Sequence, residues 1–147
     1  MTGPLVISSA EVDAGQISLN NNSATFYRED KSAYFKINRD SISALNRDGV
    51  DIFNIILGKY SVATGYSSAN GICSFASGHS SVAEGDYSHA EGQDSYANGD
   101  KSHAEGNNTR AEANNTHTEG DGTTATGDSA HAEGSNTKAQ GVTSHAE

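Results

Sequence analysis

Glycine recurs every seven residues through most of this chain, and that spacing excludes most folds at once. It stands at Gly71, Gly78, Gly85, Gly92, Gly99, Gly106, Gly120, Gly127, Gly134 and Gly141, with Ala113 as the single replacement. Gly58 and Gly65 keep the period, with one residue deleted between Gly65 and Gly71. Two positions before most of these corners comes alanine: Ala83, Ala90, Ala97, Ala104, Ala111, Ala125, Ala132 and Ala139, with Thr118 as an exception. Two positions earlier again comes Ser or Thr, so the heptad reads x-x-[ST]-x-A-x-G.

A coiled coil of this period needs large apolar residues at two positions, and here those positions hold Ser, Ala and Gly. Glycine in a helix interior also costs roughly 1 kcal/mol each time. A short strand and a tight turn fit instead. Within [ST]-x-A-x, alternate side chains take opposite faces, so Ser/Thr and Ala share the inner one. Glycine supplies a corner that a Cβ would obstruct. Turn-forming pairs follow it, as in Asn107-Asn108, Asn114-Asn115 and Asp128-Ser129.

The variable positions double the period. One heptad of each pair carries His89, His103, His117, His131 or His145, followed two residues on by Glu91, Glu105, Glu119, Glu133 or Glu147. The heptads between carry Val82, Tyr96, Arg110, Thr124 and Lys138 at the same place. The fold class expected is all-β: a parallel β-roll, a solenoid of fourteen residues per coil with two strands per coil, one uniform and one variable. Coils should stack about 4.8 Å apart, the spacing of paired strands. An interior of Ser, Thr and Ala buries little apolar area, at about 25 cal/mol per Å². Ordering each residue costs on the order of 1–2 kcal/mol. A lone stack should be marginal, and a three-fold assembly is the simplest closed remedy.

Composition divides the chain near Gly58. The 147 residues carry a net charge of -10. Residues 1–57 hold 5 Lys/Arg against 7 Asp/Glu and most of the large apolar side chains; residues 58–147 hold 4 against 12. Residues 1–57 read as a small β-rich adaptor, with strands near Gln16–Leu19, Ala24–Tyr27 and Tyr34–Ile37 and polar, turn-like residues over Arg28–Ser32. Arg47-Asp48-Gly49 marks a further turn, and Val50–Leu57 is a strand or a short helix plugging the roll. An acidic surface disfavours nucleic acid, which is bound through Lys and Arg, and anionic membranes for the same reason. No stretch approaches the roughly 20 apolar residues of a membrane span. Cys73 is alone, so no intrachain disulfide can form. The start lacks the basic and apolar segments of a signal peptide, and the last residues, Ser144 to Glu147, break off inside another copy of the repeat, as in a fragment.

The alternation DYSHAEG-QDSYANG-DKSHAEG, within the run from Gly58 to Glu147, resembles the head repeats of trimeric autotransporter adhesins of the YadA type, which recur in bacteriophage tail fibres and related spikes. The resemblance implies a left-handed parallel β-roll in a homotrimer. Many adhesin heads place aliphatic residues where this chain places His and Glu.

Three readings of the His–Glu pairs are open. The uniform strand can face neighbouring chains, with His89, Glu91, His103, Glu105, His117, Glu119, His131 and Glu133 forming a ladder at the trimer interface. The histidines can form rings around a divalent metal, since imidazole suits Zn, Cu and Ni. Or duplication has copied a solvated pair that contributes little. The first is the expectation taken here, with no cofactor and no resident metal. No catalytic residue is assigned: every His but His79 belongs to the ladder, leaving none set apart as a base. A glycan-degrading enzyme on a β-solenoid and a Thr-array ice binder are weaker readings. Tyr60, Tyr66, Tyr87 and Tyr96 suit either sugar stacking or interface filling. The function expected is a non-enzymatic section of a trimeric fibre, in a phage tail fibre or receptor-binding protein of the virion, whose parent binds a host-surface receptor such as a glycan. The alternative is the head of a bacterial surface adhesin.

Overall fold

A computed structural model describes residues 16–20, 23–27, 34–46, 48 and 50–147. They form one sheet of sixteen strands in two styles. The first five strands, β1 (Gln16–Asn20), β2 (Ser23–Tyr27), β3 (Tyr34–Asn38), β4 (Ser41–Leu45) and β5 (Asp51–Ile56), make an antiparallel meander. β5 then pairs antiparallel with β6 (Ser61–Ala69), and from β6 onward every pairing is parallel. Val50–Leu57 therefore supplies a strand laid along the edge of the first coil and not a plug across its mouth. The link over Arg28–Ser32 lies outside the described residues, as do Arg47 and Gly49; Asp48 sits in a turn.

β6 and β7 (Phe75–Ala83) each run along both sides of a coil, bent at Gly65 and Gly78. Later coils split into two strands. The uniform side holds β8 (His89–Gln93), β10 (His103–Asn107), β12 (His117–Asp121), β14 (His131–Ala132) and β16 (His145–Ala146). The variable side holds β9 (Tyr96–Ala97), β11 (Arg110–Ala111), β13 (Thr124–Ala125) and β15 (Lys138–Ala139). His89 pairs with His103 and His103 with His117, so the parallel solenoid advances fourteen residues per coil, over about six coils. The deletion between Gly65 and Gly71 is absorbed within β6 and β7. Gly65 pairs with Gly78, thirteen residues on, and Ala69 with Ala83, fourteen on, with the register shift between Tyr66 and Ser68.

The interior is as narrow as the composition requires. Ala76, Ala83, Ala90, Ala97, Ala104, Ala111, Ala125 and Ala132 are 0% exposed, and Ala139 2%. Thr109, Thr118 and Thr123 are also fully buried, and Thr118 fills an alanine place. Buried hydroxyls need acceptors; those of Ser61, Thr109, Thr118 and Thr123 have none within the chain, whereas on the uniform side the hydroxyl just before the histidine finds one locally. Ser88 Oγ donates to the Gly85 carbonyl, Ser102 Oγ to Gly99 and Thr116 Oγ1 to Ala113, each at 2.6 Å. On the variable side Ser81 Oγ donates to the Gly92 carbonyl at 3.0 Å, and Ser95 Oγ to that of Gly106 at 3.1 Å.

The seven-residue glycine period hides two kinds of corner. After the uniform strand the glycine takes a left-handed backbone, with φ of 106° at Gly92 and 110° at Gly106. After the variable strand φ is ordinary, and the constraint is proximity: a Cβ on Gly99 would sit 2.0 Å from the Ala113 carbonyl oxygen. Ala113, the one replacement, falls at the second kind, where a side chain meets no disfavoured φ and only the spacing to the next coil's backbone has to change.

Candidate functional site: the histidine–glutamate face

Strand alternation sends Ala90 and its equivalents inward and the flanking residues outward. Parallel pairing at fourteen residues then stacks like on like: His89, His103, His117, His131 and His145 in one column, Glu91, Glu105 and Glu119 in the next. The imidazoles lie face to face. Ring centroids are 4.6 Å apart for His89–His103, 4.7 Å for His103–His117 and His117–His131, and 4.9 Å for His131–His145. Interplanar angles stay between 1° and 15°. The spacing is that of paired strands, so the backbone sets the stack. Phe75 closes its lower end, edge-on to His89 at 5.0 Å and 83°.

The carboxylates lie beside the stack without hydrogen-bonding it. His89 Nε2 is 3.5 Å from Glu91, His117 Nε2 is 3.8 Å from Glu105, and Glu133 lies 3.9 Å from His131 Nε2 and 3.7 Å from His145 Nε2. The Nε2 atoms of His89, His103, His117 and His131 are shielded from solvent and have no hydrogen-bond partner within the chain. Burial holds the His103 imidazole below its ordinary value of 6.5. The neighbouring imidazoles of His89 and His117 push it the same way, and Glu105 and Glu91 oppose them.

This geometry bears on the metal-ring reading. Ligand atoms of His89, Glu91 and His103 lie within 4.8 Å of one another, as do those of Glu105, His117 and Glu119. An imidazole binds a metal along its in-plane lone pair, at about 2.0–2.1 Å for zinc. Two parallel rings stacked 4.6 Å apart share no plane, so one ion cannot meet both as they stand. A site that used two neighbouring histidines would have to break the stack; the Glu105, His117 and Glu119 group holds a single imidazole and is not constrained in this way.

The other expected residues are placed as follows. Gly92, Gly106 and Gly120 floor a shallow groove beside Glu91, Glu105 and Glu119. Gly78 and Gly134 turn the same side of the coil, while Gly85, Gly127 and Gly141 turn the other. His79 stands apart from the ladder, its ring 6.0 Å from Tyr66, with Ser80 Oγ 3.3 Å from its Nδ1. Tyr60 and Tyr87 are exposed at corners, Tyr66 hydrogen-bonds Asn46 at 3.0 Å, and Tyr96 carries Arg110 over its ring at 4.4 Å. Among the described residues no helix is long and apolar enough to cross a membrane.

One set of residues carried no signal in a single heptad. Asp86, Asp100, Asn114 and Asp128 form a corner column in which each side-chain oxygen accepts a backbone N–H from the preceding coil, at 2.8 to 3.2 Å. They read singly as turn formers; only stacking at fourteen residues turns them into ties between coils.

A known family carries the same repeat. The description "YadA head domain repeat" matches residues 69–88 and 90–109, two consecutive copies. Residues 69–109 of the solenoid carry a YadA-like head repeat. The matched copies include His103, Glu91, Glu105 and the corners from Gly71 to Gly106, and the coils that follow keep the same strand register through His145. No curated protein and no solved structure is significantly similar to the chain.

Proposed function

We propose that the chain is a non-enzymatic section of a homotrimeric fibre that serves host attachment, carried by a bacteriophage tail fibre or receptor-binding protein. YadA-like heads form trimers and bind host surfaces. The observation that carries the reading is the uniform column. One outward face keeps the same two side chains through successive coils, while the opposite strand varies freely. A surface against solvent tolerates variation; a surface packed against another chain does not.

In this reading His89, Glu91, His103, Glu105, His117, Glu119, His131 and Glu133 face the neighbouring chains. The half-exposed faces of these side chains are then covered in the assembly, where the carboxylates already 3.5 to 3.9 Å from the imidazole Nε2 atoms offset the cost of burying them. Residues 1–57 act as the adaptor. The inner alanines support so little apolar burial that the assembly stabilises the coil. Light scattering on the purified chain tests this: the expected mass is near three times 15.3 kDa, and a stable, well-folded monomer overturns it.

The family match also suits a second carrier, the head of a bacterial surface adhesin. Genes flanking the coding sequence decide between the two: virion structural genes favour the first, and a secretion signal with an outer-membrane barrel in the same reading frame favours the second.

A further inference from the structure

The outward columns do not stop at the first coil. Directly paired residues share a face of a sheet, and the pairs run without a break from ladder to meander. The histidine column continues through Phe75, Val62, Ile55, Ile42 and Ile37. The glutamate column continues through Ser77, Thr64, Phe53 and Ala44. One face of the chain is thus a single stripe, aliphatic and aromatic in the meander, His and Glu in the roll.

The meander is inside out for a chain on its own. Its apolar stripe is open: Ile37 is 39% and Phe75 37% exposed, and Ile42, Phe53, Ile55 and Val62 are only half-buried. The opposite row, Thr25, Lys36, Ser43 and Asn54, is polar, yet Thr25 and Ser43 are buried at 7% and 5%. Contiguous open apolar surface of this kind marks an interaction site.

We infer that the stripe from Ile37 to Phe75 is covered by further copies of this chain, as the hydrophobic end of the interface that the His–Glu ladder continues. This rests on the trimeric reading above and extends it to residues outside the YadA match. Continuity selects the occupant. Phe75 packs on His89, so whatever covers the first rung of the ladder also covers the last residue of the stripe. That occupant must then keep step with rungs spaced at 4.6 to 4.9 Å through His145, and a copy of the same solenoid has that spacing. Charge permits it: each copy carries -10 and copies repel, but this part of the contact adds nothing to that repulsion. The stripe from Ile37 to Phe75 and its neighbouring column from Ala44 to Ser77 contain no ionisable residue.

The test uses the full chain in two forms. Ile55→Asp places a carboxylate in the stripe, and light scattering reads the result. The expected outcome is a fall from trimer to monomer at concentrations where the unaltered chain is trimeric, with strand content by circular dichroism retained. Because that variant can simply misfold, a nitroxide is also attached at position 55 in an Ile55→Cys, Cys73→Ser chain. Dipolar coupling between labels, lost on mixing with excess unlabelled chain, is expected. If the unaltered chain is monomeric, the fibre reading itself fails. If it is trimeric but the Ile55→Asp chain stays trimeric and the labels show no coupling, the stripe is not where copies meet, and the inference falls while the fibre reading stands.

Discussion

The meander and the solenoid share one sheet and use its two faces in opposite ways. In the solenoid the inner face is sealed with Ala, Ser and Thr, and the outer face carries ionisable columns. In the meander the row continuous with the inner face holds Lys36, Ser43 and Asn54, while the outer row holds Ile37, Ile42 and Ile55. A sheet buries its apolar face against whatever layer is available. The solenoid supplies its own second layer by coiling back. The meander buries Leu45 on its inner side, but its row of Ile37, Ile42 and Ile55 lies where the solenoid has its outside, the side that the proposed assembly would cover.

The largest expected effect separates the two kinds of interior. Ala104→Leu forces a long side chain into a site with 0% exposure and should cost about 3 kcal/mol or more, since even ordinary overpacking costs roughly 1–3. Ala44→Leu, on the open side of the meander, should change monomer-level folding by less than about 1 kcal/mol. Denaturant unfolding of the two variants measures both, and equal costs would erase the contrast.

How far this contrast was legible in the sequence depends on repetition. The roll announces its period, its strand faces and its corners because each is stated many times. The meander states each element once. β4 carried no signal because Ile42 points outward while Leu45 is buried on the other side, which blurs the alternation of a half-buried strand. Asp51–Ile56 was ambiguous between strand and helix because a short apolar run has no decisive period, and only its pairing to β6 resolves it. The face inversion could not be read from composition at all: it needs the register between β5 and β6. Within the candidate site, the spacing announced the two columns, but the shielding of the Nε2 atoms follows from ring orientation, which spacing does not contain.

A smaller effect should distinguish the regions by pH. His103 is held below 6.5 in the folded chain, so the folded form resists a proton that the unfolded form accepts. The contribution is fully present above the unfolded value and is lost as pH falls through 6.5 toward the folded value. Acidification should therefore lower the melting temperature of the solenoid, while the uncharged stripe of the meander contributes nothing to the slope. His103→Phe keeps a ring in the stack between His89 and His117 and removes its titration beside Glu91 and Glu105; its melting temperature should vary less with pH. An unchanged profile would place the acid sensitivity elsewhere.

The smallest effect lies at the corners. Lys101 has φ of 56° and Asn108 φ of 52°, both left-handed. Asparagine and glycine tolerate that region better than lysine. Lys101→Gly should raise stability by about 0.5–1 kcal/mol, read as a higher denaturant midpoint, and a loss would show that the Lys101 side chain contributes more than its backbone costs.

The two kinds of corner have a consequence for how such a rod can change length. A single heptad cannot be added or removed cleanly, because it would hand the left-handed bend at Gly92 and Gly106 to a sequence shaped for the other side and would shuffle imidazoles onto the variable edge. Growth must proceed by whole turns. Lineages that lengthen or shorten this shaft should do so in paired heptads, each step moving whatever sits at its far end by one strand width and leaving the histidine and glutamate columns aligned.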